Sequence, residues 1–348
     1  MRALTYAAFG GPLTVSDLAD PTAPPGGAVV RVRSSGLCRS DWHAWMGHDT
    51  DIEDFPHVPG HEFAGTVVAV GDGVDSAWLG REVTAPFVFA CGECQVCRSG
   101  AGQVCPRQRQ PGFSDPGSFA EQVVVQAAGT NLVALPEGLS HDVAAGLGCR
   151  IATAYRAVTA RAQVQEGETV AIFGCGGVGL AATMIATARG ARVIAVDIAE
   201  SAMARAREVG AWQTLRADHD VLAAISDLTG GGADVAIDAL GSLGTCRASV
   251  LSLGRRGRQV QIGLLPSVTG SPEVPMERVI SWELDILGCH GMAAADYEPL
   301  LTDVVSGRLD IGRLLAQRDP IGLAEAAEAL PAMGTASSEG IVLVDPSR

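Results

Sequence analysis

The stretch that decides the fold is Thr169–Ala182, TVAIFGCGGVGLAA. A short apolar run of buried-strand character enters a Gly-rich turn, and the apolar residues beyond it read as a helix. Gly174, Gly176 and Gly179 stand as G-x-G-x-x-G between the two, with Gly177 and Val178 inside the turn. In that context the glycines allow a tight turn, a close approach of a pyrophosphate to the backbone, and close packing of helix on strand. The unpaired N–H groups at the start of the helix favour the anion.

Outward from the turn, ARVIAVD ends at Asp197, eighteen residues past Gly179. A carboxylate there accepts hydrogen bonds from adenosine ribose hydroxyls and repels a 2′-phosphate. Ile198 and Ala199 follow, with no Arg to receive that phosphate, so the pattern favours NAD over NADP. The helix ESAMARAREVGA, the strand ADVAIDAL and the strand GRQVQIGLL continue the series. Strands alternating with helices predict βαβ units and a parallel sheet. The first third differs: GAVVRVRSSG, GHEFAGTVVAVGDGV, REVTAPFVF and SFAEQVVVQ read as strands of a β-rich domain. After Gly291 come a helix around Leu323–Leu330 and a final strand, GIVLVD. The expectation is an α/β chain with a doubly wound Rossmann domain over 152–290. A catalytic domain, split in sequence into 1–151 and 291–348, encloses it.

A chain of 348 residues, 47% hydrophobic, suits two domains of ordinary size. The net charge of −14 argues against nucleic-acid binding, since no basic stripe exists to neutralise phosphates. The N-terminal MRALTYAAFGGPLTV lacks the layout of a signal peptide, and no apolar run is long enough to span a bilayer. A soluble, cytoplasmic protein is expected. In that compartment nine cysteines with clustered spacing point to metal rather than to disulfides.

Cys91, Cys94, Cys97 and Cys105 form C-x2-C-x2-C-x7-C within CGECQVCRSGAGQVC. Four thiolates so close can wrap one tetrahedral zinc, a closed shell with no position for substrate. An iron–sulfur cluster fits the thiol count as well; structural zinc is the reading taken. Cys38, His61 and Cys149 supply two more thiolates and an imidazole, far apart in sequence. A lone buried Cys more often behaves as a small hydrophobe, and the weight here lies in the combination.

GLCRSDWH, GHEFAG, the four-thiolate lobe, GCRIAT and the Gly-rich turn occur in the order of the zinc-containing medium-chain alcohol dehydrogenases, which the chain resembles over essentially its whole length. The resemblance implies a GroES-like catalytic domain and two zinc ions per chain. Cys38, His61 and Cys149 would hold the catalytic ion, the donor set known for alcohol dehydrogenase, with Glu62 as an occasional alternative ligand. Asp41 would orient the ligand His61. Ser40 and His43 match the family's proton relay, a role suited to a His of ordinary pKa. Arg39 would contact pyrophosphate, and Thr153 and Val178 would flank the nicotinamide.

Trp42, Trp45 and Phe87 read equally as substrate-pocket walls or as core. Two departures from the family pattern imply weaker cofactor binding. The Arg expected before the last strand is missing from SSEGIVLVD, which carries Gly340, and the Lys expected after Asp197 is replaced near Ala202.

Cys175, Cys246 and Cys289 read as packing residues. His48, His57, His141, His219 and His290 read as exposed or structural, and HDTDIEDF as a solvated loop. The activity implied is reversible hydride transfer between NAD and a primary or secondary alcohol, apolar or aromatic, giving an aldehyde or ketone. The alternatives are a polyol or amino-alcohol dehydrogenase of the same fold, or a non-catalytic zinc-stabilised dinucleotide-binding protein. A small-molecule substrate and a homodimer or homotetramer complete the expectation.

Overall fold

The computed structural model describes residues 1–49, 51–265, 270–334 and 340–348. The chain divides into two compact units, Met1–Ala152 with Gly291–Arg348, and Thr153–His290. Ala152, read above as opening the nucleotide-binding domain, falls in the first unit.

The second unit is built on a six-stranded parallel sheet. Its spatial order is Gln213–Arg216, Arg192–Asp197, Thr169–Phe173, Ala233–Asp238, Leu253–Gln261, Asp285–Gly288. In sequence order this is 3-2-1-4-5-6, the arrangement whose switch point lies beside the first strand. Thr169–Phe173 is buried along its full length, as a central parallel strand covered on both faces must be. The helix Gly177–Ala188 follows it, and Gly179 through Ala186 are all buried. Ala171, Phe173, Ile194 and Val196 pack as one apolar cluster with Val221 and Ile225 of the helix Val221–Thr229. The edge strand Gln213–Arg216, QTLR, gives no apolar alternation to read from sequence, because it has no buried residue.

The first unit carries a mixed-length antiparallel sheet in the order Val342–Val344, Ala28–Leu37, Glu62–Val70, Glu82–Thr84, Val133–Ala134, with Gln122–Val125 also pairing Ala28–Leu37. Val30, Val32, Phe63, Val67, Val83 and Phe89 form its core. The register places Gly36 opposite Glu62. Of the run REVTAPFVF only Glu82–Thr84 is a strand, since Pro86 offers no N–H to a ladder. The helix Leu323–Ala332 lays Leu323, Ala326 and Leu330 against Leu4, Leu37 and Phe119. The doubly wound sheet and the β-rich GroES-like unit are both as the sequence led us to expect.

Candidate functional site

The cysteine lobe is local. Cys94 caps the short helix Gln95–Arg98, and the loop returns through Cys105. Neighbouring Sγ atoms lie 3.4 Å (Cys94–Cys97), 3.5 Å (Cys91–Cys105) and 3.8 Å (Cys91–Cys97 and Cys94–Cys105) apart. A tetrahedron of thiolates at the usual zinc–sulfur bond length has edges of about 3.8 Å, so the four sulfurs fit one zinc ion. Donors stabilise negative sulfur: Cys97 N–H to Cys94 (3.4 Å), Arg107 N–H to Cys105 (3.3 Å) and the Arg107 guanidinium to Cys91 (3.2 Å). Backbone N–H groups bring the Cys91 thiol down to about 6, while burial pushes Cys97 up to about 12.

The second cluster is assembled from three distant segments. Cys38 caps the helix Arg39–Trp45, His61 precedes the strand Glu62–Val70, and Cys149 sits in a π-helical turn, Leu147–Ile151. Such turns carry an extra residue and recur at functional sites. Ligand atoms of Cys38, His61, Glu62 and Cys149 all lie within 4.8 Å of one another. Asp41, fully buried, organises the group: Oδ1 accepts from His61 Nδ1 (2.7 Å) and Gly60 N–H (3.1 Å), and Oδ2 from Cys38 N–H (2.9 Å).

His61 Nε2 is buried without a hydrogen-bond partner among the described residues. An orphaned imidazole nitrogen beside two thiols is what a soft divalent ion needs, and the residues fit zinc. The Cys149 hydrogen bond favours the Cys38 thiolate, helped by the Arg150 and His61 charges against the cost of burial. Cys149 is held up in its protonated form by the same contact. Burial opposes a charge on His61, and Asp41 and Cys38 together outweigh it.

Phe87 stands edge-on to the His61 ring at 6.1 Å, and Phe113 tilts against it at 5.3 Å. Trp42 and Trp45 pack on the Leu4–Leu37–Phe119 cluster, and the Trp45 indole donates to the Gly11 carbonyl. Trp45, like Trp42, is partly buried at the margin of that cluster. Ser40 is half-buried in the first turn of its helix. Arg39 is exposed, with its guanidinium 5.7 Å from the Trp42 ring and a hydrogen bond to the Gly334 carbonyl (3.4 Å).

His43 differs from expectation. Its Nδ1 is 2.9 Å from Nδ1 of His48, and burial, with the His48 and Arg39 charges, brings it down to about 4 rather than leaving it near neutrality. His48, set aside as background, is its direct partner.

In the second unit the Gly-rich turn is tight. Gly174 adopts φ +94°, and a Cβ on Gly179 would stand 1.8 Å from the Gly174 carbonyl oxygen. Gly176 opens onto free space. Asp197 Oδ2 accepts from Cys175 N–H (2.7 Å) and Oδ1 from Ala199 N–H (2.9 Å), which fixes the carboxylate at the strand end beside the turn. Thr153 is buried in the helix Ala152–Arg156, and Val178 lies in the first turn of Gly177–Ala188. Gly340 is described, but the residues 335–339 that precede it in the C-terminal departure lie outside the described residues, as does residue 50 of the acidic loop. Among the described residues no helix is long and apolar enough to cross a membrane.

Sequence reasoning gave no role to Arg150. Its side chain is buried and forks onto both oxygens of Glu62. The signal was present: an Arg inside the apolar AAGLGCRIATAY cannot be buried without a carboxylate partner.

Two family models match the chain: the alcohol dehydrogenase GroES-like domain over residues 24–137, and the zinc-binding dehydrogenase over residues 177–306. Fold and site thus define a zinc-binding dehydrogenase. An alcohol dehydrogenase of Geobacillus stearothermophilus is 33% identical over 76% of this chain and 78% of its own length. A sorbitol dehydrogenase of Halalkalibacterium halodurans is 30% identical over 87% and 88%. The crystal structure of the alcohol dehydrogenase of the archaeon Aeropyrum pernix superposes with a TM-score of 0.89 at 28% identity, covering 99% of this chain and 100% of that one. The chain belongs to the zinc-containing medium-chain dehydrogenase/reductase family, whose members are oxidoreductases acting on CH–OH groups.

Proposed function

We propose that this protein is an NAD-dependent alcohol dehydrogenase. The carbinol carbon of a primary or secondary alcohol gives a hydride to the nicotinamide, the hydroxyl proton leaves to solvent, and an aldehyde or ketone remains. The observation that carries the reading is the Asp41 carboxylate, which binds Cys38 and His61 together and leaves His61 Nε2 unpartnered beside two thiols. A zinc ion held by Cys38, His61 and Cys149 would supply Lewis acidity that lowers the pKa of the substrate hydroxyl, and a second, in the four-cysteine lobe, would serve structure alone.

The chain's own residues do the rest. Ser40 relays the hydroxyl proton, accepting it as its own hydroxyl proton moves on, and His43, neutral at pH 7, passes the proton outward to solvent with His48 beside its Nδ1. Phe87 and Phe113 exclude water around His61. Gly174, Gly176, Gly177, Val178 and Gly179 cradle the pyrophosphate. Asp197 holds the ribose, which favours NAD, and Thr153 and Val178 flank the nicotinamide. A polyol substrate is the second reading, favoured by the similarity to a sorbitol dehydrogenase.

NADH absorbance on mixing the protein and NAD with primary, secondary and aromatic alcohols and with polyols tests the proposal. Reduction with simple or aromatic alcohols is expected. Turnover confined to polyols would replace the first reading with the second, and silence across the panel would refute both.

A second copy of the chain is the proposed partner. Support comes from the sheet edge Asp285–Gly288, where Ile286 is exposed, and from the helix Met276–Trp282, which buries none of its residues and leaves Ile280 74% exposed. Sedimentation of an Ile280→Glu variant should show a smaller species than the parent protein.

A further inference from the structure

Four side chains offer donor atoms within 4.8 Å of one another, yet they are not equivalent. His61 Nε2 has no partner, whereas Glu62 is satisfied on both oxygens. Its Oε1 accepts from the Arg150 backbone N–H (3.0 Å) and from Arg150 Nε (2.9 Å). Its Oε2 accepts from Nε (3.2 Å) and from Nη2. Both partners are buried, with side-chain exposures of 6% and 0%.

The backbone is shaped for this pairing. Gly36 lies opposite Glu62 in the sheet, and a Cβ there would stand 2.3 Å from Glu62 Oε2 and 3.0 Å from Arg150 Nη2. The π-helical turn Leu147–Ile151 carries Cys149 and Arg150 as neighbours, so one turn delivers a donor to the cluster and a clamp to the competing carboxylate. A planar guanidinium fork binds a carboxylate in two places and fixes its orientation.

We propose that Arg150 is a positioning residue that holds the Glu62 carboxylate off the Cys38–His61–Cys149 donor set, so that the fourth position of a bound ion stays open to an exogenous ligand. The inference rests on the metal-site reading above. Without the fork, a buried carboxylate next to His61 in sequence has the ion as its remaining cationic partner, and it would close the site.

Cobalt(II) is the probe, loaded into the full-length protein, with imidazole as exogenous ligand and the visible cobalt spectrum as readout. In the parent protein imidazole should shift the cobalt bands. In Arg150→Met the apparent imidazole affinity should fall by about tenfold or more, as expected when a supporting partner of a metal site is lost. Arg150→Met/Glu62→Gln, which removes both charges, should restore it. A role of Arg150 in packing alone, independent of the Glu62 carboxylate, would not be rescued through Glu62, and circular dichroism of Arg150→Met separates lost imidazole binding from lost folding.

If Arg150→Met does not accumulate, Arg150→Lys keeps the charge, lacks the fork and carries the test; weaker imidazole binding than in the parent protein is expected. Unchanged imidazole affinity in either single variant, or no rescue by the double variant, overturns the inference alone. A parent protein that takes up cobalt only in the four-cysteine lobe overturns the metal-site reading and the inference with it.

Discussion

Replacing Asp41 by Asn keeps the shape of the side chain and removes one charge and one acceptor. Oδ1 serves Gly60 and His61, and Oδ2 serves Cys38. An asparagine retains the first pair by placing its carbonyl on that side, and its amide then faces the Cys38 N–H. One buried donor is left unsatisfied, which costs about 1–3 kcal/mol. The bonds that survive weaken as well, because a carboxylate accepts roughly twice as strongly as a neutral oxygen.

Loss of a carboxylate behind a metal-binding His lowers affinity by about 10–100-fold, or about 1.4–2.8 kcal/mol. The first figure is a loss of folding stability and the second a loss of metal affinity. Asp41→Asn should therefore bind zinc at the Cys38–His61–Cys149 set about 10–100-fold more weakly, while the four-cysteine lobe is unaffected. Titration against a chromophoric chelator resolves the two classes of site, and circular dichroism checks that the variant is folded. A folded Asp41→Asn protein with parental affinity at both sites would refute the argument that this carboxylate organises the donor set.

Cys97→Ser should lose the lobe's metal and melt at a lower temperature, since a structural site contributes directly to folding; metal analysis should show one ion fewer per chain and a retained second site. Gly179→Ala places a methyl 1.8 Å from the Gly174 carbonyl oxygen, so the turn must move. It should destabilise the fold by about 1–3 kcal/mol and weaken NADH binding, read by denaturant unfolding and nicotinamide fluorescence. His43 titrates near 4 in the folded chain against 6.5 for an ordinary His, so the unfolded state takes its proton first as pH falls. Its contribution to stability is complete above 6.5 and is lost as pH drops through 4. His43→Gln should flatten the pH dependence of unfolding in that window. His57, also held down by burial, keeps its share in both proteins.

The parallel sheet was legible because its inner strands are apolar on both faces and its first turn needs glycine. The edge strand Gln213–Arg216 was not, because an unburied strand leaves no apolar signature. Spacing alone exposed the four-cysteine lobe, a local structure. The Cys38, His61 and Asp41 group could be listed from sequence, but the three bonds to one carboxylate depend on tertiary placement. The depressed pKa of His43 was invisible, since it comes from burial and from His48 five residues on. Arg150 could have been flagged as a buried charge in an apolar helix, but only its fork onto a residue 88 positions away explains it.

The two donor sets also differ in when they can exist. Cys91 through Cys105 lie within one short loop, and closing such a loop takes well under a microsecond at about 10–100 ns for ten residues. Those thiolates can gather before the rest of the chain has folded. Cys38, His61 and Cys149 meet only after Ala28–Leu37 has paired with Glu62–Val70 and the turn Leu147–Ile151 has docked on that sheet. Closing loops of that length costs entropy that the native contacts must first repay. If both sets take zinc as proposed, uptake at the lobe would be open early in folding, and uptake at the second set would report that folding is complete.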